Sequence, residues 1–140
     1  MLHLFHPAMV HFSIAFLVVG GAGEAWGLLA DRERLMRFCG TLVVIGTLTL
    51  IPTIVTGYLA ANTVALSDDA RPVLDAHERN GVLLLGLFVA TLFWKGWTRG
   101  RIPRSQRPWY AIVLLLGVLL AAYSALLGGE LVYGNGIGVL

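Results

Sequence analysis

Charge is what this sequence has least of. Only 13% of its 140 residues are Asp, Glu, Lys or Arg, about half the share usual in a soluble domain. Hydrophobic residues make up 57%, and the mean hydropathy is +0.78, so most of the surface is not built for water. The single cysteine, Cys39, excludes an internal disulfide. It also leaves no basis for a cysteine-built zinc or iron–sulfur site, and without a C-x-x-C-H run no c-type heme is attached. The N-terminus MLHLFHPAMV lacks the positive region of a cleavable signal, and the apolar stretch behind it is long enough to span. A formal charge of +2 and a pI near 9.0 arise from basic residues in short loops between apolar runs. That pattern reads as membrane topology and gives no nucleic-acid role.

What is present is four apolar runs of the length a spanning helix needs, about 20 residues. They cover about residues 7–30, 38–61, 76–97 and 108–127. The expectation is an all-α integral membrane protein, one domain over 1–140 with the lipid bilayer as its first partner. Four transmembrane helices form the bundle, and the glycine-rich tail 128–140 folds over the outer face. Pro7 suits the first position of a helix, which puts His6 near the cap; Pro108 starts the fourth run in the same way. Pro52 should kink the second run, with Thr49, Thr53 and Thr56 available to the freed backbone groups.

Orientation follows from the basic residues of the short loops. Eight of ten lie on one side: Arg32, Arg34 and Arg37 after the first run, and Lys95, Arg99, Arg101, Arg104 and Arg107 after the third. The 62–80 loop carries only Arg71 and Arg79, against Asp68, Asp69, Asp75 and Glu78. The basic side is therefore expected in the cytoplasm of a bacterial inner membrane, with both termini and the 62–80 loop on the periplasmic side.

This topology gathers all four histidines, His3, His6, His11 and His77, at the outer end. Ionisable groups are rare in a bilayer and mark functional sites by default. His11 precedes Arg32 by 21 residues and His77 precedes Lys95 by 18, which places both roughly 27–32 Å above the inner boundary. Matched depth makes His11 and His77 the expected axial pair of a b-type heme in a helical bundle, with snorkelling or helix capping as the competing reading. His6 lies roughly 140° around the helix from His11, so the two cannot ligate one metal from one helix face. Capping, a propionate contact or a second heme remain for His6. Met1, His3, His6, Met9 and His11 together form a thioether and imidazole run suited to copper.

Glu24 is the only carboxylate deep inside a run, Glu78 lying at the outer edge of the third. It either carries protons or meets a quinone head group, or it pairs with Arg34 or Arg37 near the inner interface. Gly20, Gly23 and Gly27 permit close helix approach. Arg71 and Arg79 stand where heme propionates would emerge. Trp26, Trp94, Trp97 and Trp109 mark an aromatic belt at the inner ends.

Four segments together resemble the small membrane proteins catalogued as domain of unknown function 2231. They are His6-Pro7 through His11-Phe12, Thr56-Gly57-Tyr58, His77 through Asn80, and the closing run from Gly128 to Val139 with Tyr133 inside it. The resemblance implies four helices, heme binding and a role beside redox proteins such as Rieske-type domains, and adds Asn80 and Tyr133 to the site. Relatives commonly carry histidine where this chain has Asn135, which puts any ligand at that position in doubt. The expected function is a b-type cytochrome passing electrons between quinol and a periplasmic or membrane redox protein, an electron-transfer component more than a stand-alone enzyme. The alternatives are a cofactor-free anchor subunit of a redox complex, a copper-binding protein, or a transporter, which would need the chain to form a homo-oligomer.

Overall fold

The computed structural model describes residues 2–64 and 66–137, with side chains from residue 6 onward. Within that range every regular element is a helix, with no strand. The helices are α1 (Leu2–Leu29), α2 (Glu33–Ala61), α3 (Ala70–Trp97) and α4 (Arg107–Gly129), and a π-helical turn, Glu130–Gly134, continues α4. All four are long and apolar enough to cross a membrane. Phe12, Phe38, Phe93, Leu119 and Leu126 are exposed on their outer faces, where lipid is the solvent.

Three local features differ from the sequence expectation. Helix α1 begins at Leu2, so Pro7 lies inside it and not at its first position; the helix forgoes one N–H donor at Pro7 and continues. Helix α2 runs through Pro52, whose missing N–H frees the carbonyl of Leu48. The nearby hydroxyls bond elsewhere, Thr49 to Ile45 O, Thr53 to Thr49 O and Thr56 to Pro52 O. The tail expected from residue 128 first continues α4 to Gly129 and then the π turn, and the chain turns at Gly136 (φ 67°), where Ile137 N–H donates to Leu131 O. The π turn buries Leu131, and Asn135 caps it through backbone N–H and Nδ2, both donating to Glu130 O. Residues 138–140 of the expected cover lie outside the described residues.

Successive helices pack side by side and α4 closes back on α1, so α1 and α3 face each other across the bundle's diagonal. The α1–α2 seam is the tightest, for a reason visible in the glycines. A Cβ on Gly20 would stand 2.9 Å from Val43 N and 3.0 Å from Cys39 O, backbone atoms that cannot move aside. On α2, Gly46 opens the same seam to Leu17. Without a water-driven force between helices in lipid, such close approach is the main source of packing energy. Leu17, Val43, Leu84, Phe88 and Leu114 fill the centre.

The connections at the basic end are tied together. Asp31 bridges the α1–α2 turn to α4, accepting from Arg107 at 2.7 Å and from Arg104 at 3.4 Å. The Arg107 guanidinium, with Arg104 beside it, holds the Asp31 carboxyl below the usual carboxylate range. Trp94 donates its Nε1–H to Gln106 at 2.8 Å and packs edge-on to Tyr110, an internal staple. Trp26, Trp97 and Trp109 are exposed as belt residues are.

Gly20→Val should cost about 1–3 kcal/mol by forcing the α1–α2 backbones apart. A thermal melt in detergent should show a lowered midpoint, and Gly86→Ala, where a Cβ meets nothing within 4 Å, should leave it unchanged.

Candidate functional site at the histidine end

On an α-helix, residues 7, 11, 14 and 18 apart return to nearly the same face. On α1 that arithmetic links His6 to Ser13, Leu17, Gly20 and Glu24, of which the last four are buried. On α3 it links His77 to Leu84, Phe88, Thr91 and Lys95, of which the middle three are buried. His6 and His77 therefore head two interior stripes on helices that face each other diagonally. Their rings lie 6.5 Å apart between centroids with planes at 86°.

Each ring is held by a neighbouring helix. His6 Nδ1 is 3.0 Å from Thr53 O, and the Thr56 hydroxyl stands at 3.4 Å. His77 Nδ1 is 3.1 Å from Ser124 O. A carbonyl can only accept, so Nδ1 carries the proton in both rings, and a neutral imidazole then keeps its lone pair on Nε2. Among the described residues, neither Nε2 has a hydrogen-bond partner. Two glycines give the rings room. A Cβ on Gly57 would stand 2.8 Å from His6 Cε1, and one on Gly128 would stand 3.3 Å from His77 Cε1.

The surrounding polar groups are accounted for. Ser13 Oγ lies 2.9 Å from Thr53 Oγ1 and 3.2 Å from Thr49 Oγ1, a hydroxyl cluster between α1 and α2. Asn80, one turn inward from His77, is buried and donates Nδ2–H to Leu120 O at 3.1 Å. His77 and Asn80 thus grip carbonyls one turn apart on antiparallel α4.

Of the residues expected at the site, the structure brings together His6 and His77, with Asn80 next to them on α3. The partner expected for His77 was His11. That ring is exposed and turned back on its own helix, with Nδ1 2.5 Å from Pro7 O. His6 and not His11 stands beside His77 because depth was matched but azimuth was not. Arg71 and Arg79 are exposed on the first turns of α3 and form no ion pair among the described residues. Tyr133 is 91% exposed and belongs to the π turn. The copper run does not assemble around His6 and His11, which diverge; the side chains of Met1 and His3 lie outside the described residues. No group of three or more His, Cys, Asp or Glu gathers among the described residues. Gly57, Gly128, Ser13 and Ser124 were missed as site residues. For Ser13 the signal was its place seven residues from His6 on the interior stripe.

A family model described as predicted membrane protein (DUF2231) matches residues 2–140. No curated protein and no solved structure matches the chain.

Nitrogen-15 spectra of histidine-labelled protein at mildly alkaline pH should show both rings protonated at Nδ1, with assignments from His6→Ala and His77→Ala. Protonation at Nε2 instead would contradict the two carbonyl contacts.

Proposed function

The chain belongs to the DUF2231 family of predicted membrane proteins, and from that premise we propose that it holds a b-type heme between His6 and His77 and relays electrons at this end of the bundle. The observation that carries the reading is the perpendicular ring pair. Two metal–nitrogen bonds of about 2 Å, with half an imidazole at either end, put ring centres about 6 Å apart, close to the 6.5 Å found. A metal held by protein alone usually takes three or four ligands. Two imidazoles with nothing else beside them suit a metal whose remaining ligands come from a macrocycle.

The chain's own residues have defined parts in this reading. Thr53 O and Ser124 O hold the rings by Nδ1, which fixes their orientation and makes Nε2 the ligating atom, as such carbonyls do for metal-bound histidines. Gly57 and Gly128 leave space beside the rings. Arg71 and Arg79 are the cations available to propionates at this end. Bound there, the heme would supply one-electron exchange, with His6 and His77 as the residues that would hold it.

The bias of lysine and arginine supports a cytoplasmic basic end and a periplasmic histidine end in a bacterial inner membrane. Quinol on one side and a periplasmic or membrane redox protein on the other are the partners this placement suits. A second reading keeps the geometry without a cofactor. The two Nδ1 bonds tie α1 to α2 and α3 to α4, as a cofactor-free anchor subunit of a redox complex would need.

A reduced-minus-oxidised visible spectrum of the detergent-purified protein separates the two readings. Sharp low-spin b-type bands are expected, absent in His6→Ala and His77→Ala and retained in His11→Ala. A colourless protein from cells supplied with heme, or bands lost only with His11, would sink the His6–His77 cytochrome.

A further inference from the structure

The opposite end of the bundle holds a cavity of about 440 Å³, within the range of small-ligand sites. Its wall carries five cations, Arg37, Lys95, Arg99, Arg101 and Arg107, against the carboxylates of Glu24 and Glu33. Three of those cations are already engaged. Arg37 pairs with Glu33 at 2.8 Å, Arg107 with Asp31 at 2.7 Å and Lys95 with Glu24 at 2.5 Å. Arg99 and Arg101 form no ion pair among the described residues. Both belong to the turn after α3, where Arg99 (φ 52°) and Gly100 (φ 75°) reverse the chain in the left-handed region.

The decisive atom is Glu24 Oε2. Glu24 is 2% exposed, its Oε1 takes the Lys95 ammonium, and its Oε2 has no partner among the described residues. A buried carboxylate oxygen left without a donor is costly. The expected partners, Arg34 and Arg37, are not the ones Glu24 meets. The cavity therefore has two unlike halves: guanidinium groups free to take an anion, and a buried acceptor that lacks a donor. A ligand matched to both carries a phosphate and, next to it, a hydroxyl.

We propose that this cavity binds a phosphodiester headgroup bearing a free hydroxyl, with the glycerol headgroup of an anionic lipid as its source. Free arginines take the phosphate oxygens, and the glycerol hydroxyl donates to Glu24 Oε2. Basic pockets between helices at a membrane surface suit such headgroups. The site lies at the far end of the bundle from the histidines and does not depend on a heme there.

The test uses the full chain in detergent, with thermal midpoint and native mass spectrometry as readouts. The probes are phosphatidylglycerol, phosphatidic acid, phosphatidylcholine and soluble glycerol phosphate. Phosphatidylglycerol should raise the midpoint and stay bound, phosphatidic acid should do so less because it lacks the hydroxyl, and phosphatidylcholine should do neither. The double variant Arg99→Gln/Arg101→Gln should weaken phosphatidylglycerol by about tenfold to thirtyfold. Arg32→Gln/Arg34→Gln, which removes two exposed cations outside the cavity, should leave it unchanged. Equal loss in both variants would reduce the effect to a diffuse basic surface and overturn the site. No preference for phosphatidylglycerol over phosphatidylcholine would overturn it as well. Full stabilisation by glycerol phosphate alone would overturn the lipid source and assign the cavity to a soluble anion.

Discussion

Lipid offers a polar side chain no partner, so a polar group that points into this bundle depends on the partners it meets there. The α1–α3 diagonal is organised by that constraint. His6 and Glu24 are 18 residues apart, and so are His77 and Lys95; 18 residues make five helical turns, roughly 27 Å. Each helix therefore presents one polar group near each end to the same opposite helix. The rings meet at one end and the ion pair closes the other. Between them the diagonal is filled by Leu17, Leu84 and Phe88. A buried ion pair contributes little net stability, but losing one partner is expensive, so Glu24 and Lys95 act mainly as a register mark. Sliding α1 by one residue against α3 would rotate Glu24 away from Lys95 and His6 away from His77 together.

The tight α1–α2 seam sets up the histidine end. With Gly20 and Gly46 bringing the two backbones close, His6 reaches a backbone carbonyl of α2 and sits against Gly57. The seam also seats Ser13 among Thr49 and Thr53. On the other side His77 and Asn80 take carbonyls of α4. The two ring positions are thus fixed by backbone atoms of two different helices, a firmer support than side-chain contacts alone.

Much of this was legible in the sequence and some was not. Composition and run length revealed the four helices, because a bilayer constrains both severely. The polar ends were legible too, since depth along a helix follows from residue counting. That His6 and not His11 stands beside His77 was not legible, because depth does not give azimuth. The interior face of α1 could have been found from the spacing of Ser13, Gly20 and Glu24, all on the stripe that His6 heads. The partner of Glu24 was out of reach: Arg34 and Arg37 are near in sequence but exposed, and Lys95 is near only once the diagonal is known. Helix ends misled for local reasons. Pro7 resembled a first helical residue yet sits inside α1, and the glycines after Leu127, read as the start of the tail, complete α4 before the π turn.

The dry diagonal between the two polar ends has an electrical consequence. Nearly all of the voltage across a membrane falls over its apolar interior, at about 2.3 kcal/mol per elementary charge for each 100 mV. Leu17, Leu84 and Phe88 occupy that interval, while the histidine pair and the Glu24–Lys95 pair flank it. A charge that enters or leaves at either pair crosses only a small part of the field. An ionisation or electron exchange at either end would thereby be largely insulated from the membrane potential, and the bundle would do electrical work only if a charge travelled the length between them.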